Sequence, residues 1–375
     1  MLTRIHVLGV GSIGTLLSHH LRLNNPSLPL TLLVRKPHLY PPTLSVTRDG
    51  LTATSTNYTY EPSSLTSTST PISSLIVCLK TTSTLDALRP LTPLLGPGSV
   101  VTLLQNGMGV YEELCTNLWP DKKTRPYFIL GTTPHGVTPI EGRGKGEIRH
   151  NTPGGEGDVK WGICPDPRNT IDFEKDWLFP PSSTRSTSTS LTVPPVPKER
   201  PDLISIRDTL HALLSISDLS PSLQTYKSLQ RALYLKLVVN AVINPLTAIL
   251  GHGNLLNGTL ASISPFGPNL VDQITEESSR VLIAHIMATH TNDEERDHLL
   301  EQFNYDRLRE LVGGVIHSAG KNTSSMAVDV REGRTTEVDY INGYIVKLGR
   351  EVGIETPCNS MLVDMVKFIT ASKQI

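Results

Sequence analysis

The chain has no excess of either charge: 34 basic residues stand against 35 acidic ones in 375. It therefore offers no field for a polyelectrolyte partner. It also lacks any basic run interleaved with aromatics, so nucleic acid is not an expected ligand. No uninterrupted apolar run approaches the roughly 20 residues that a bilayer crossing needs, and no membrane span is expected. A strand pattern begins by Ile5, which leaves no room for a signal peptide. Only four cysteines occur, Cys78, Cys115, Cys164 and Cys358, far apart and without metal-ligand spacing. They are expected to be reduced thiols, in neither a disulfide frame nor a metal site. These absences point to a soluble cytoplasmic protein, with a mitochondrial location less favoured. The length allows two domains and a sizeable core.

What is present divides the chain in two. The first part alternates short apolar runs with helical patterns, which favours a parallel α/β sheet. "IHVLGVG" at 5–11, "LTLLVR" at 30–35, "SLIVCLK" at 74–80, "VVTLLQNG" at 100–107 and "FILGTTPHGV" at 128–137 read as strands, and "TLLSHHLRL" at 15–23 as a helix. Residues 52–73 are dense in Ser and Thr and read as strands and loops. Residues 165–201 are rich in Pro, Ser and Thr; they read as a low-complexity surface insertion, a candidate for disorder, with no catalytic role. From about Ser222 the pattern turns helical, with one long helix over "SLQTYKSLQRALYLKLVVNAVINPLTAIL" and others at 270–290, 293–312 and 336–352. The expected organisation is a nucleotide-binding domain over 1–221 and an α-helical domain over 222–375, with the ligand site in a cleft between them.

"GVGSIG" sets Gly9, Gly11 and Gly14 in G-x-G-x-x-G register. The first glycine permits the tight turn, the second lets a pyrophosphate approach the backbone, and the third lets the helix pack on the strand. The whole loop, Gly9, Val10, Gly11, Ser12, Ile13 and Gly14, is the expected dinucleotide cradle, with the phosphates at the positive end of the helix. Flanked by an apolar strand and a helix, this motif is specific. An NAD-type site places an acidic residue about 20 positions beyond the loop, on the ribose 2′-hydroxyl. Here no acidic residue occurs before Asp49, and the second strand ends in "VRKP". Arg35 and Lys36 thus stand where a 2′-phosphate would lie, and a guanidinium suits that phosphate in charge and shape. The expected cofactor is NADP(H).

In the second part, "KLVVNAVINPLTA" spaces Lys236, Asn240 and Asn244 four residues apart in an otherwise apolar helix. At 100° per residue they fall within an arc of about 80° on one face. Buried polar groups need partners, whether neighbouring loops, the other domain or a ligand. A lysine beside a cleft can protonate a developing alkoxide and attract a carboxylate, while asparagines can orient a small polar substrate. Pro245 is expected to bend or end the helix, bringing "LTAILGHGN" in from a new angle.

Together "LGVGSIG", "LLQNGMGV", "GTTPHGV", "KLVVNAVINPLTA" and "SSMAVDVREGRTTEVDYINGYIV" resemble the ketopantoate reductase (2-dehydropantoate 2-reductase) family over both domains, outside 165–201. The resemblance implies a Rossmann-type NADP-binding domain followed by a helical domain like the C-terminal domain of 6-phosphogluconate dehydrogenase. It implies reduction of the 2-oxo group of ketopantoate by NADPH to (R)-pantoate, for pantothenate and coenzyme A synthesis; whether the chain acts as a monomer or a homodimer is left open by the sequence. By position, Lys236 matches the family's proton-donating lysine, and Asn240, Asn244 and Asn254 its substrate asparagines. Ser325 matches a serine on the carboxylate side, and Asn106 a residue near the nicotinamide and substrate. Lys80, Val137 and Glu337 match cofactor contacts. Taken alone, Lys80 also fits a strand-end charge, Glu337 an ion-pair partner and Ser325 an N-cap. Pro134 replaces a threonine more usual in the family. Two rivals stand beside this reading: reduction of another branched 2-oxo acid, and a non-catalytic NADP(H)-binding regulator.

Overall fold

The computed structural model describes residues 3–64, 70–179, 193–289 and 292–373. They form two compact units: Met1–Gln105 with Tyr111–Gln230, and Asn106–Val110 with Arg231–Ile375. The main division thus falls after Gln230, beyond the boundary at 221 read from the sequence. Residues 222–230 belong with the first unit because Leu229 packs over Gly162, where a Cβ would come within 2.9 Å of its Cδ2.

In the first unit, β1 (Ile5–Leu8), α1 (Ser12–Asn24) and β2 (Leu30–Val34) are followed by β3 (Leu44–Arg48), β4 (Leu51–Ser55), β5 (Thr59–Pro62) and β6 (Ser74–Val77). Then come α2 (Thr81–Leu88), β7 (Val100–Leu104), α3 (Val110–Asn117), β8 (Tyr127–Thr132), β9 (Val137–Pro139) and β10 (Glu147–His150). β11 (Val159–Ile163), α4 (Ile204–Leu214) and β12 (Pro221–Leu223) complete it. The main sheet runs β12-β11-β8-β7-β6-β1-β2-β5. Its six strands from β5 to β8 are parallel, and β11 turns antiparallel on β8. β1, β6 and β7 are buried at every position, as a strand covered on both faces demands, which explains their unbroken apolar runs. Strand order reverses between β1 and β6, the switch point at whose carboxyl ends doubly wound sheets bind ligands.

A second sheet, β4-β3-β10-β9, packs on α1. α1 is therefore buried continuously from Gly14 to Arg22, and two of its long polar side chains are met inside. His19 Nδ1 lies 2.7 Å from Ser55 Oγ, and Arg22 donates to the carbonyls of Pro26, Leu28 and Asn57.

The disorder expected over 165–201 is corrected at both flanks, while residues 180–192 lie outside the described residues. A π-helical turn, Phe173–Leu178, buries Phe173 and Trp177 in the core of the first unit. Trp177 Nε1 donates to the Pro195 carbonyl at 3.2 Å, and Asp166 accepts from Thr170 Oγ1 at 2.6 Å. Two large aromatics anchor a stretch whose overall composition is polar.

The second unit is helical: α5 (Tyr226–Leu250, whose first residues lie in the first unit), α6 (Thr259–Ser262), α7 (Phe266–Thr289), α8 (Asp293–Phe303), α9 (Tyr305–Ser318), α10 (Ser325–Arg331), α11 (Asn342–Val352) and α12 (Pro357–Ser372). The single helix expected over 293–312 is two, because Asn304 stands between them and caps α9 by accepting from Arg307 N at 2.9 Å. The helix expected from 336 starts only at Asn342, after a 3-10 turn at Val338–Tyr340.

Two expectations about α5 are also corrected. The helix is not ended by Pro245 but continues to Leu250. The missing amide would have bonded the Ala241 carbonyl; that carbonyl accepts instead from Asn342 Nδ2 at 2.8 Å. By length and composition α5 could also cross a membrane, although no unbroken apolar run suggests it. Averaging along the helix hides its polar positions, and its apolar residues Leu237, Val238, Ala241, Val242 and Ile243 are spent in the core of the second unit.

Candidate active site

The first unit presents a glycine loop at the end of β1. Gly9 has φ +92°, and a Cβ there would stand 2.5 Å from Leu79 Cδ2; the left-handed turn and the tight contact both require glycine. A Cβ on Gly14 would stand 1.9 Å from the Gly9 carbonyl oxygen, so only glycine lets α1 pack this closely. Gly11 is different: a Cβ there would meet nothing within 4 Å. A side chain there would fill open space beside the helix end. Gly11 is also the N-cap of α1, without a side-chain cap and with no acidic residue in the first turn. The first-turn amides of Ser12 and Ile13 therefore point from a positive helix end with no intrahelical acceptor. These residues fit a dinucleotide pyrophosphate.

Around this loop, Arg35 and Lys36 follow β2 and are exposed. The Arg35 charge reaches Tyr40, where it opposes the burial that raises the phenol pKa. Lys80 follows β6 across the switch point and is the N-cap residue of α2, its carbonyl accepting from Thr84 Oγ1 at 2.9 Å. Val137 opens β9, paired with His150 in the small sheet, and its side chain packs against the apolar core. Its place differs from that of the glycine loop, Arg35 and Lys80, which follow the carboxyl ends of β1, β2 and β6.

The second unit gathers the polar stripe. On α5, Lys236 and Asn240 are half-buried and Asn244 is buried, and neither asparagine amide has a hydrogen-bond partner among the described residues. Burial depresses the Lys236 ammonium to a pKa of about 8, against the pull of the Glu337 carboxylate, which favours the charged form. Glu337 is itself 8% exposed and accepts from Asn106 Nδ2 at 3.3 Å. Lys236, Glu337 and Asn106 thus form one cluster.

Asn106 arrives on a short loop whose glycines have a packing reason. Met108 N donates to the Tyr340 carbonyl at 2.8 Å. Gly107 has φ +77°, and a Cβ there would stand 2.4 Å from that same oxygen; Gly109 has φ +95° and faces Tyr344 at 3.0 Å. "QNGMG" is therefore a docking loop onto the turn that carries Glu337. Sequence reading misses that role, although two glycines two residues apart are a signal for close backbone approach.

Below Asn244, Thr247 Oγ1 lies 2.8 Å from Ser324 Oγ. Ser324 caps α10, accepting from Ala327 N at 3.1 Å. The cap is thus Ser324, and Ser325 is left exposed in the first turn with its hydroxyl available. Asn254 is exposed in the turn after α5, where Gly253 presses on α10 with a would-be Cβ 2.4 Å from the Ala327 carbonyl oxygen. An antiparallel bridge joins Leu256 to Thr323. The bridge ties the turn that carries Asn254 to the residues just before α10.

The family model "Ketopantoate reductase PanE/ApbA" matches residues 5–165, and its C-terminal counterpart residues 228–370. A 2-dehydropantoate 2-reductase of Shigella flexneri is 30% identical over 293 residues, covering 78% of this chain and 73% of its own. In fold, the chain is similar to a PanE/ApbA family ketopantoate reductase of Ralstonia eutropha, with a TM-score of 0.68, 18% identity and full coverage of both chains. It is equally similar to a D-mandelate dehydrogenase solved with NADH and anilino(oxo)acetate, with a TM-score of 0.67, 19% identity and full coverage of both chains. With matches that span the glycine loop, the docking loop and the polar stripe alike, the chain belongs to the ketopantoate reductase family.

Proposed function

We propose that this protein is a cytoplasmic, NADPH-dependent 2-dehydropantoate 2-reductase, converting ketopantoate to (R)-pantoate for pantothenate and coenzyme A synthesis. The observation that carries the reading is Lys236: a desolvated ammonium, braced by Glu337, on the same helical face as two asparagines whose amides stay open to a ligand. The glycine loop would hold the pyrophosphate, Arg35 and Lys36 the 2′-phosphate, and Lys80, Asn106, Val137 and Glu337 further parts of the cofactor. When bound, NADPH supplies the hydride that adds to C2 of the substrate.

The residues of the chain do the rest. Asn240 and Asn244 offer donors and acceptors that orient the polar groups of a small 2-oxo acid. Ser325 and Asn254 hold its carboxylate side. As the C2 carbonyl oxygen gains charge, Lys236 Nζ gives it a proton and becomes a neutral amine, which takes a proton back from solvent. A pKa of about 8 suits a proton donor, since the group is mostly charged near neutrality yet gives up its proton readily. Glu337 keeps burial from neutralising it outright.

Oxidation of NADPH by ketopantoate, repeated with NADH and with Lys236→Ala, tests the proposal. Loss of a general acid is expected to lower the rate ~10²–10⁴-fold. A variant within tenfold of wild type would remove Lys236 from the proton-donor role, and equal rates with NADH would remove Arg35 from cofactor choice. A second reading keeps the chemistry and changes the substrate, because these side chains address the carboxylate and carbonyl common to all 2-oxo acids rather than the tail. Turnover compared across branched 2-oxo acids separates the two. NADPH binding without turnover on any of them would make the protein a regulator.

A further inference from the structure

Pro245 sits inside α5 one residue after Asn244, and it deletes the amide that should bond the carbonyl of Ala241. Ala241 follows Asn240 directly. A helix weakened here would let the two asparagine amides shift relative to each other. The deficit is met from outside the helix by Asn342, on α11, whose Nδ2 donates to Ala241 O at 2.8 Å. The same nitrogen donates to Asn359 Oδ1 on α12 at 2.9 Å. Asn359 Nδ2 in turn donates to Glu277 Oε1 on α7 at 2.8 Å. Glu277 also accepts from the backbone amides of Asn359 and Cys358, each at 2.8 Å, so its carboxylate closes the N-terminus of α12. Asn342 and Asn359 are 0% exposed and Glu277 1%.

This relay is directional. A carboxylate can only accept, so Glu277 fixes which end of the Asn359 amide faces it. Asn359 therefore presents its oxygen to Asn342, and Asn342 must present its nitrogen to Asn359 and to Ala241. The arrangement leaves Asn342 Oδ1 buried with no hydrogen-bond partner among the described residues. What the relay secures is the Ala241 carbonyl, in the turn between Asn240 and Asn244.

We infer that Asn342, oriented by Asn359 and Glu277, is a positioning residue: it replaces the hydrogen bond that Pro245 removes and holds Asn240 and Asn244 in register toward the substrate. The inference rests on the reading of α5 as the substrate helix. It predicts an unusual rescue. In Pro245→Ala the amide at 245 can take the Ala241 carbonyl, and the donor on Asn342 is no longer needed.

The experiment compares wild type, Asn342→Ala, Pro245→Ala and the double variant. Asn342→Asp, which keeps the shape and loses the donor, serves if the alanine variant does not fold. Expected for either single change at 342 is a fall in kcat/KM for the 2-oxo acid of about 10- to 100-fold, since small displacements of orienting groups are costly. The Kd for NADPH should move less than about twofold, because the glycine loop, Arg35 and Lys80 lie in the other unit and Asn342 Nδ2 bonds Ala241 and Asn359, not Asn106 or Glu337. In the Pro245→Ala background the same change should cost less than about threefold. Hydrogen exchange of the α5 amides at 238–248 is the second readout: it should quicken in Asn342→Ala and not in the double variant. An equal kinetic loss in both backgrounds, or unchanged exchange in Asn342→Ala, overturns the inference. If wild type turns over no 2-oxo acid, the functional reading fails, and exchange alone still decides the relay.

Discussion

Changing Glu337 to Gln separates charge from shape at the centre of the stripe. The amide oxygen can still accept from Asn106 Nδ2, so the hydrogen bond that now spans 3.3 Å can persist. What disappears is the negative charge that favours protonated Lys236. Burial already holds that ammonium at about 8, down from 10.5, with Glu337 opposing the fall; the variant must therefore lie lower still. An opposite charge a few ångströms away is worth roughly 1–3 pKa units, and the low end applies to a half-buried lysine. With a fall of about one unit, the protonated fraction at pH 7.5 drops from about 0.76 to about 0.24, a threefold loss, while at pH 6 the loss is under about 10%. The assay is the pH profile of kcat/KM for the 2-oxo acid at saturating NADPH. Its alkaline limb should fall near 8 in wild type, because the reduction needs the charged form and that form vanishes as pH rises through the folded-state pKa. The limb should move acidward in Glu337→Gln. A limb that stays in place or moves to higher pH refutes the reasoning, and an equal loss at pH 6 and 7.5 assigns Glu337 to binding instead.

Arg35→Ala should weaken NADPH binding about tenfold or more and leave NADH nearly unchanged, since a charged phosphate contact is worth roughly 1.5–3 kcal/mol; titration of both cofactors by fluorescence checks it. Gly14→Ala places a methyl group 1.9 Å from the Gly9 carbonyl oxygen. It should destabilise the chain by about 1–3 kcal/mol or prevent folding, measured by urea denaturation with and without cofactor. Trp177→Ala removes a side chain that is 4% exposed and should cost about 3–5 kcal/mol, showing by thermal unfolding that this flank of 165–201 is part of the core.

The glycine loop is legible in the sequence because its constraints close locally: any side chain on Gly14 would strike the Gly9 backbone within a single βα turn. The stripe on α5 is legible for the same reason, since one helix sets its spacing. The small sheet is not, because β3 pairs with β10, Ser45 beside Glu147, and neither partner carries a mark of the other. Composition misleads at 165–201, where Phe173 and Trp177 are few but decisive. Pro245 shows a local rule overridden from a distance: the proline removes a donor as expected, and Asn342 supplies another. Ser324 and Ser325 are adjacent and chemically identical, so only the structure tells the cap from the exposed hydroxyl.

The docking loop has a consequence for how the protein is made. Asn106 meets Glu337 across 231 positions of chain. At synthesis rates of ~5–20 residues per second, the loop leaves the ribosome roughly 10–50 s before its partner exists. Over that interval β1, β2, β6, β7 and β8 can pair, and the glycine loop can form, while Asn106–Val110 has nothing to dock on. A nascent chain halted before Glu337 would hold its glycine loop formed and its lysine without a counter-charge. The glycine loop is thus in place early in the life of each molecule, and the Lys236–Glu337 cluster only near the end of translation.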